Sequence, residues 1–104
     1  MVTIKLRYTT RGPATGRADS AIVGVVASGN LEVLLERILG DTDCSVEIAT
    51  PVRGYDEVWQ AVVADFVERA SPGGLRISIN DAGARPDTVA LRLMQGVTMM
   101  EGGR

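Results

Sequence analysis

Three short stretches of this chain hold residues of a kind that chemistry can use: Asp19-Ser20, Ser28-Gly29-Asn30 and Gly102-Gly103-Arg104. Each suits covalent linkage rather than catalysis. A serine hydroxyl presented to solvent can be esterified by another enzyme, and a glycine beside it leaves room for that enzyme's active site. A Gly-Gly tail threads into an activating enzyme because it is flexible and has no side chains. What the chain lacks narrows the field further. It contains no histidine and a single cysteine, Cys44, so a Ser-His-Asp triad, a Cys-His dyad and any His-based or Cys-rich metal site are excluded within it. Asp41, Asp43, Asp81 and Asp87 fall in apparent turns or caps, where aspartate serves the local backbone. Arg11 and Arg17 flank the loop 9–17 and can meet a phosphate, but two arginines without supporting geometry read as solvated.

The 104 residues suffice for one domain, expected to span 1–104, with a loop at 9–17 and a flexible tail at about 101–104. Hydrophobic residues make up 45% and aromatics only 4%, so the core must be aliphatic. Net charge is −2, with 11 basic and 13 acidic residues well mixed; no basic stripe of the kind that binds nucleic acid is present. The opening M-V-T-I-K-L-R-Y alternates instead of forming the apolar stretch of a signal peptide. No run approaches the ~18 apolar residues of a membrane span. One unpaired cysteine suits reducing cytosol. The expectation is a cytoplasmic protein that binds neither nucleic acid nor membrane.

The elements that must position the serines follow from periodicity. Val2, Ile4 and Leu6 alternate with Thr3, Lys5 and Arg7, which predicts a half-buried strand. Gly12, Pro13 and Gly16 then punctuate a loop. Strands are expected at 21–27 and 31–37, where E-V-L-L-E-R alone could be helical but the strongly β-branched I-V-G-V-V before it tips the pair toward a hairpin, and again at 44–50. Val58, Val62, Phe66 and Val67 recur at helical spacing, with Trp59 and Val63 widening the stripe. That helix should start after Gly54-Tyr55-Asp56 and end at Ser71-Pro72-Gly73-Gly74. Trp59 reads as core. A strand follows at 75–79. In 86–100, Pro86 and Asp87 suit a helix start, and Val89, Leu93, Val97 and Met100 share one helical face. V-A-L-R-L-M also alternates, so that segment stays open between helix and strand. The predicted order is β-β-β-β-α-β-α, an α+β domain with a mostly antiparallel sheet and about two helices.

Placed on these elements, the three candidates separate. Seven residues separate Met94 from Gly102-Gly103, so the tail does not directly follow a strand as in ubiquitin-like proteins, and Arg104 would have to be removed first. Asp19-Ser20 looks like the D-S of helical acyl carrier proteins, but Ser20 precedes A-I-V-G-V-V, a β-branched run that resists helix formation. Ser28 sits between two strands. With Gly29-Asn30 as the central pair of a type II′ turn, it would lie at the tip of a β-hairpin anchored by Val25, Val26, Leu31 and Val33. An ordinary turn serine is the other reading of the same residues.

A-S-G-N-L-E-V-L-L-E, followed by I-N-D-A-G-A-R-P-D-T-V-A-L-R-L-M-Q, resembles the acyl carrier (delta) subunit of bacterial malonate decarboxylase, from about residue 21 to 96. The likeness is most specific at S-G-N and N-D-A-G-A-R-P. The citrate lyase acyl carrier (gamma) subunit is a more distant relative. The resemblance implies that Ser28 carries 2′-(5″-phosphoribosyl)-3′-dephospho-CoA through a phosphodiester, with Gly29 and Asn30 only shaping the turn. It implies an arm whose thiol holds acetyl and malonyl thioesters while malonate becomes acetate and CO2. It also implies as partners the acyltransferase and decarboxylase subunits and a prosthetic-group transferase. On this reading the chain is a carrier and no enzyme itself, and Ser28 needs no internal base because the transferase activates it. A citrate-lyase-type carrier and a ubiquitin-like or protein-interaction domain are the alternatives. Met94, Met99 and Met100 are candidate partner contacts or core.

Overall fold

A computed structural model of the chain describes residues 1–102. The elements run β1 (Val2–Thr9), β2 (Ser20–Gly24), β3 (Leu31–Arg37), β4 (Asp43–Thr50), α1 (Asp56–Ala70), β5 (Leu75–Asp81) and α2 (Pro86–Met100). This is the predicted order, and the class is the expected α+β.

The strands form one sheet in the order β1-β4-β5-β3-β2. Every neighbouring pair is antiparallel except β4–β5. A parallel pair cannot be closed by a tight turn, and α1 supplies the crossover between those two strands. Alternation along each strand gives the sheet two unlike faces. Ile4, Val46, Ile77, Ile79, Val33 and Leu35 point to one face and join Trp59, Val63, Phe66 and Leu93 of the helices in a single buried cluster. The other face carries exposed or half-buried residues, including Lys5 opposite Glu47 and Arg76 opposite Glu36.

Segment 86–100, left open by its sequence, is helical. Val89, Leu93, Gly96, Val97 and Met100 are buried at spacings of three and four, a period that no strand can present to one side. Gly96 permits the contact with β3, since a Cβ there would run into the Leu35 side chain. Met100 is core, whereas Met94 and Met99 are exposed. In α1 the buried line is Trp59, Val63 and Phe66. Val58, expected near the centre of the stripe, lies on its exposed flank. The helix ends where Ser71 enters the left-handed region at φ 46° and donates its N–H to the Val67 carbonyl.

The loop after β1 begins at Thr10, one residue later than expected, and is closed by Arg37. The Arg37 guanidinium donates to the carbonyls of Ala14, Ala18, Thr15 and Met100. Arg11 and Arg17, the two arginines singled out in the sequence, are exposed.

Candidate functional site

Three connections meet at one end of the sheet: the β2–β3 loop, the β4–α1 loop and the β5–α2 loop. The register shows why. Leu31, the first residue of β3, pairs with Asp81, the last of β5, while β4 runs parallel to β5 and ends at Thr50 beside it. Asp81 binds two of these loops together. Its Oδ2 accepts the Thr50 hydroxyl at 2.8 Å, and its Oδ1 accepts the Ala84 N–H at 2.9 Å. The Thr50 hydroxyl in turn accepts the Val52 N–H at 3.1 Å. Asp81 therefore does the structural work expected of it, although as a buried strand residue rather than in a turn.

The third loop carries Ser28. β2 ends at Gly24, which adopts φ +80°; a side chain there would be strained and its Cβ would collide with the Leu31 carbonyl. The chain so turned leaves the ladder, and residues 25–30 form a loop rather than a two-residue hairpin turn. Val25 and Val26 are 55% and 58% exposed. They do not anchor the loop, contrary to the expectation that β-branched residues here continue the strand.

Within the loop, the Asn30 N–H donates to the Ala27 carbonyl at 2.8 Å and closes a β-turn over residues 27–30. Gly29, third in that turn, has φ +77°, the value a type II turn demands at that place. The expected type II′ turn centred on Gly29-Asn30 is not formed. The turn lies one residue earlier, and Ser28 is inside it, exposed to solvent. A Cβ built on Gly29 meets nothing within 4 Å, so the space beside Ser28 is open.

Though exposed, the turn is held from behind. Gly29 N–H donates to the Ala82 carbonyl at 2.9 Å, and Ala82 N–H returns a bond of 2.9 Å to the Asn30 carbonyl. The Asn30 side chain adds a second lock. Its Oδ1 accepts the Leu31 N–H at 2.8 Å and Arg92 Nε of α2 at 3.2 Å. Leu31 beyond it is fully buried. The arrangement presents one hydroxyl on a fixed backbone, flanked by free volume. The S-G-N and N-D-A-G-A-R-P stretches, far apart in sequence, are thus bonded to each other. Sequence reading missed Ala82 and Arg92 as supports of the turn; the signal available was that the two most distinctive stretches both bordered turns.

The other candidates are placed as follows. Ser20 is the first residue of β2, exposed and paired with Glu36, so it lies at no helix start. Leu91 to Met94 belong to α2, so no strand leads into the Gly-rich tail; Gly103 and Arg104 lie outside the described residues. Cys44 is 1% exposed, and burial pushes its thiol up to about 11, which keeps it protonated and unreactive near neutral pH. Among the described residues no cluster of three or more His, Cys, Asp or Glu is placed to hold a metal ion. No described helix is long and apolar enough to cross a membrane.

Comparison with known proteins is consistent across the chain. The family model described as "Malonate decarboxylase delta subunit" matches residues 18–100. A malonate decarboxylase acyl carrier protein from Bradyrhizobium diazoefficiens is 60% identical over 97 residues, covering 93% of this chain and 92% of that protein. One from Xanthomonas campestris is 49% identical over 102 residues, covering 98% and 97%. In structure, the chain resembles a chain from the crystal structure of a Pseudomonas malonate decarboxylase hetero-tetramer in complex with malonate. The TM-score is 0.84 and the identity 36%, over 96% of this chain and 99% of that one.

Proposed function

This chain belongs to the malonate decarboxylase delta subunit family, the acyl carriers of that enzyme, and from that premise we propose that Ser28 is the residue through which it carries acyl groups. The attached group is 2′-(5″-phosphoribosyl)-3′-dephospho-CoA, joined to the Ser28 hydroxyl by a phosphodiester. When bound, the group supplies a thiol that holds acetyl and malonyl units as thioesters while malonate is converted to acetate and CO2. The chain itself is the non-catalytic member of a cytoplasmic complex, one carrier domain over 1–104. It meets an acyltransferase subunit, a decarboxylase subunit and a prosthetic-group transferase in turn.

The observation that carries this reading is the exposed Ser28 hydroxyl on a turn pinned from behind, with open space over Gly29. That combination fits a large substituent. The pinned backbone keeps the attachment point at one place, and the clearance admits a transferase. The fixed turn also means that the carrier loses little conformational entropy when a partner engages it. Tethering then raises the local concentration of the acyl group at each partner's site to the order of millimolar. Cys44 does not compete as a thioester site, because its thiol is buried and protonated.

The test is the intact mass of the protein from malonate-grown native cells, followed by fragmentation of the tryptic peptide 18–37, which contains both Ser20 and Ser28. An adduct of the dephospho-CoA-derived mass on Ser28 is expected. Ser28→Ala should abolish acylation and malonate turnover and leave the thermal unfolding curve in place. An unmodified Ser28, or full turnover by the alanine variant, refutes the assignment.

A further inference from the structure

A second feature lies beside the Ser28 turn. A cleft of about 170 Å³ opens between the first turns of α1 and the β5–α2 loop, and its lining includes Val52, Tyr55, Trp59, Gly83, Arg85 and Val89. Trp59 and Val89 are buried and form its floor, whereas Tyr55 is about half exposed at its mouth. Its one carboxylate, Asp81, is turned inward to Thr50 and Ala84. The single cation, Arg85, stands at the rim, loosely paired with Asp87 at 3.6 Å and largely in solvent. The cleft is thus aromatic and aliphatic inside, with one guanidinium, already shared with Asp87, at its edge.

Its position relative to Ser28 follows from the hydrogen bonds. Gly29, next to Ser28, donates to Ala82, and Gly83, the next residue, lines the cleft. Two steps of ~3.8 Å along the chain and one hydrogen bond put the cleft wall on the order of 10 Å from Ser28. Its size is below the ~300–1,000 Å³ of pockets that enclose whole drug-sized ligands, so it takes a single ring system rather than a complete nucleotide conjugate.

Given attachment at Ser28, on which this inference rests, the group contains one flat aromatic ring, adenine. That ring is separated from the serine by a phosphate and two ribose units, a short tether, while the pantetheine arm extends beyond the diphosphate. We infer that the cleft receives the adenine ring, with Tyr55 as its aromatic wall above the Trp59 floor and Arg85 at the rim beside the phosphates. Aromatic side chains bind bases by their π-faces without reading their edges, which suits a site whose only side-chain carboxylate is already engaged. A weak site suffices, because the tether holds its ligand nearby. The docked ring fixes the root of the arm and leaves the pantetheine end free to travel between partner sites.

Trp59 is the only tryptophan of the chain and so reports on the cleft directly. The full-length Ser28→Ala variant is titrated with AMP and, separately, with pantetheine, following Trp59 by its indole N–H resonance and its fluorescence. AMP should shift Trp59 saturably and pantetheine should not. Tyr55→Ala should weaken AMP by at least about fivefold, while Tyr55→Phe, which keeps the ring, should bind as the parent does. In the modified wild-type chain the Trp59 resonance should already be displaced and should no longer answer to AMP. A Trp59 unmoved by AMP, or moved by pantetheine instead, overturns the inference. The two readings fail separately: a Ser28 adduct with an unperturbed Trp59 removes adenine docking alone, whereas an unmodified Ser28 removes the attachment on which docking depends.

Discussion

Replacing Asn30 by alanine isolates the lock behind the Ser28 turn. The substitution deletes an Oδ1 that accepts the Leu31 N–H at 2.8 Å and Arg92 Nε at 3.2 Å. Leu31 is fully buried, so its N–H loses an acceptor where water is scarce, at a cost of about 1–3 kcal/mol. Arg92 is partly exposed and rehydrates, adding little. The expected total is about 2 kcal/mol, which lowers the midpoint of thermal unfolding by roughly 10 °C in a domain of this size. The loss should also be visible at single amides. Exchange at Leu31 and Gly29 should accelerate by about 30-fold, and amides at the centre of β5 that open only by global unfolding should follow by the same factor. Asn30→Asp keeps the acceptor and should restore both properties. Unchanged protection of Gly29 and Leu31 in Asn30→Ala, or an Asn30→Asp variant as damaged as the alanine, would refute the reasoning.

Other consequences are as direct. Gly24→Ala forces a side chain onto a φ of +80° and against the Leu31 carbonyl, and should cost about 2–4 kcal/mol in chemical denaturation; a loss below 1 kcal/mol would show that the loop can leave Gly24 by another route. Val26→Asp, on an exposed residue two positions before Ser28, should leave stability within about 0.5 kcal/mol and, on the Ser28 attachment proposed above, should slow that modification at least about tenfold by placing a charge where the transferase must close over the turn. Equal rates would show that the transferase does not close over Val26. For Cys44 the pH window runs from 9, the ordinary value for the thiol, to about 11 in the fold. Below pH 9 both states are protonated and the thiol contributes no pH dependence. Above it the unfolded thiol ionises first, so stability falls by about 3 kcal/mol up to pH 11. Cys44→Ala should lack that component of the decline, and parallel curves for the two proteins would contradict it.

Much of the fold was legible because its signals are local. The 31–37 strand was bounded correctly, and the end of α1 was announced by Ser71-Pro72-Gly73-Gly74. Where reading failed, the deciding contact lay elsewhere in the chain. Val25 and Val26 have the composition of a strand, but Gly24 faces the Leu31 carbonyl and turns the backbone away before they can pair. A glycine within I-V-G-V-V was itself a cue for such a break. The Gly29-Asn30 pair suggested a turn of the right neighbourhood and the wrong register, because its true partner, Ala82, follows a different strand. Segment 86–100 fits both periods over six residues; the complementary surface of β3 and the room left by Gly96 select the helix. At the site, Ser28 was visible from its neighbours, whereas Asn30's bond to Arg92 had no local trace.

The place of β5 in the sheet also sets an order in time. Its two neighbours, β4 and β3, are both made earlier in synthesis, and each keeps an unpaired edge until residues 75–81 arrive to fill the gap between them. A chain lacking β5 can pair only β1 with β4 and β2 with β3, two ribbons that are marginal alone and whose edges are open to wrong pairing. The residue that steadies the Ser28 turn, Ala82, follows immediately after β5. The turn thus acquires its final shape only when the last gap in the sheet has closed. A transferase that recognises that shape would load finished carriers and pass over incomplete ones, and ribosome-stalled chains ending before Leu75 should remain unmodified.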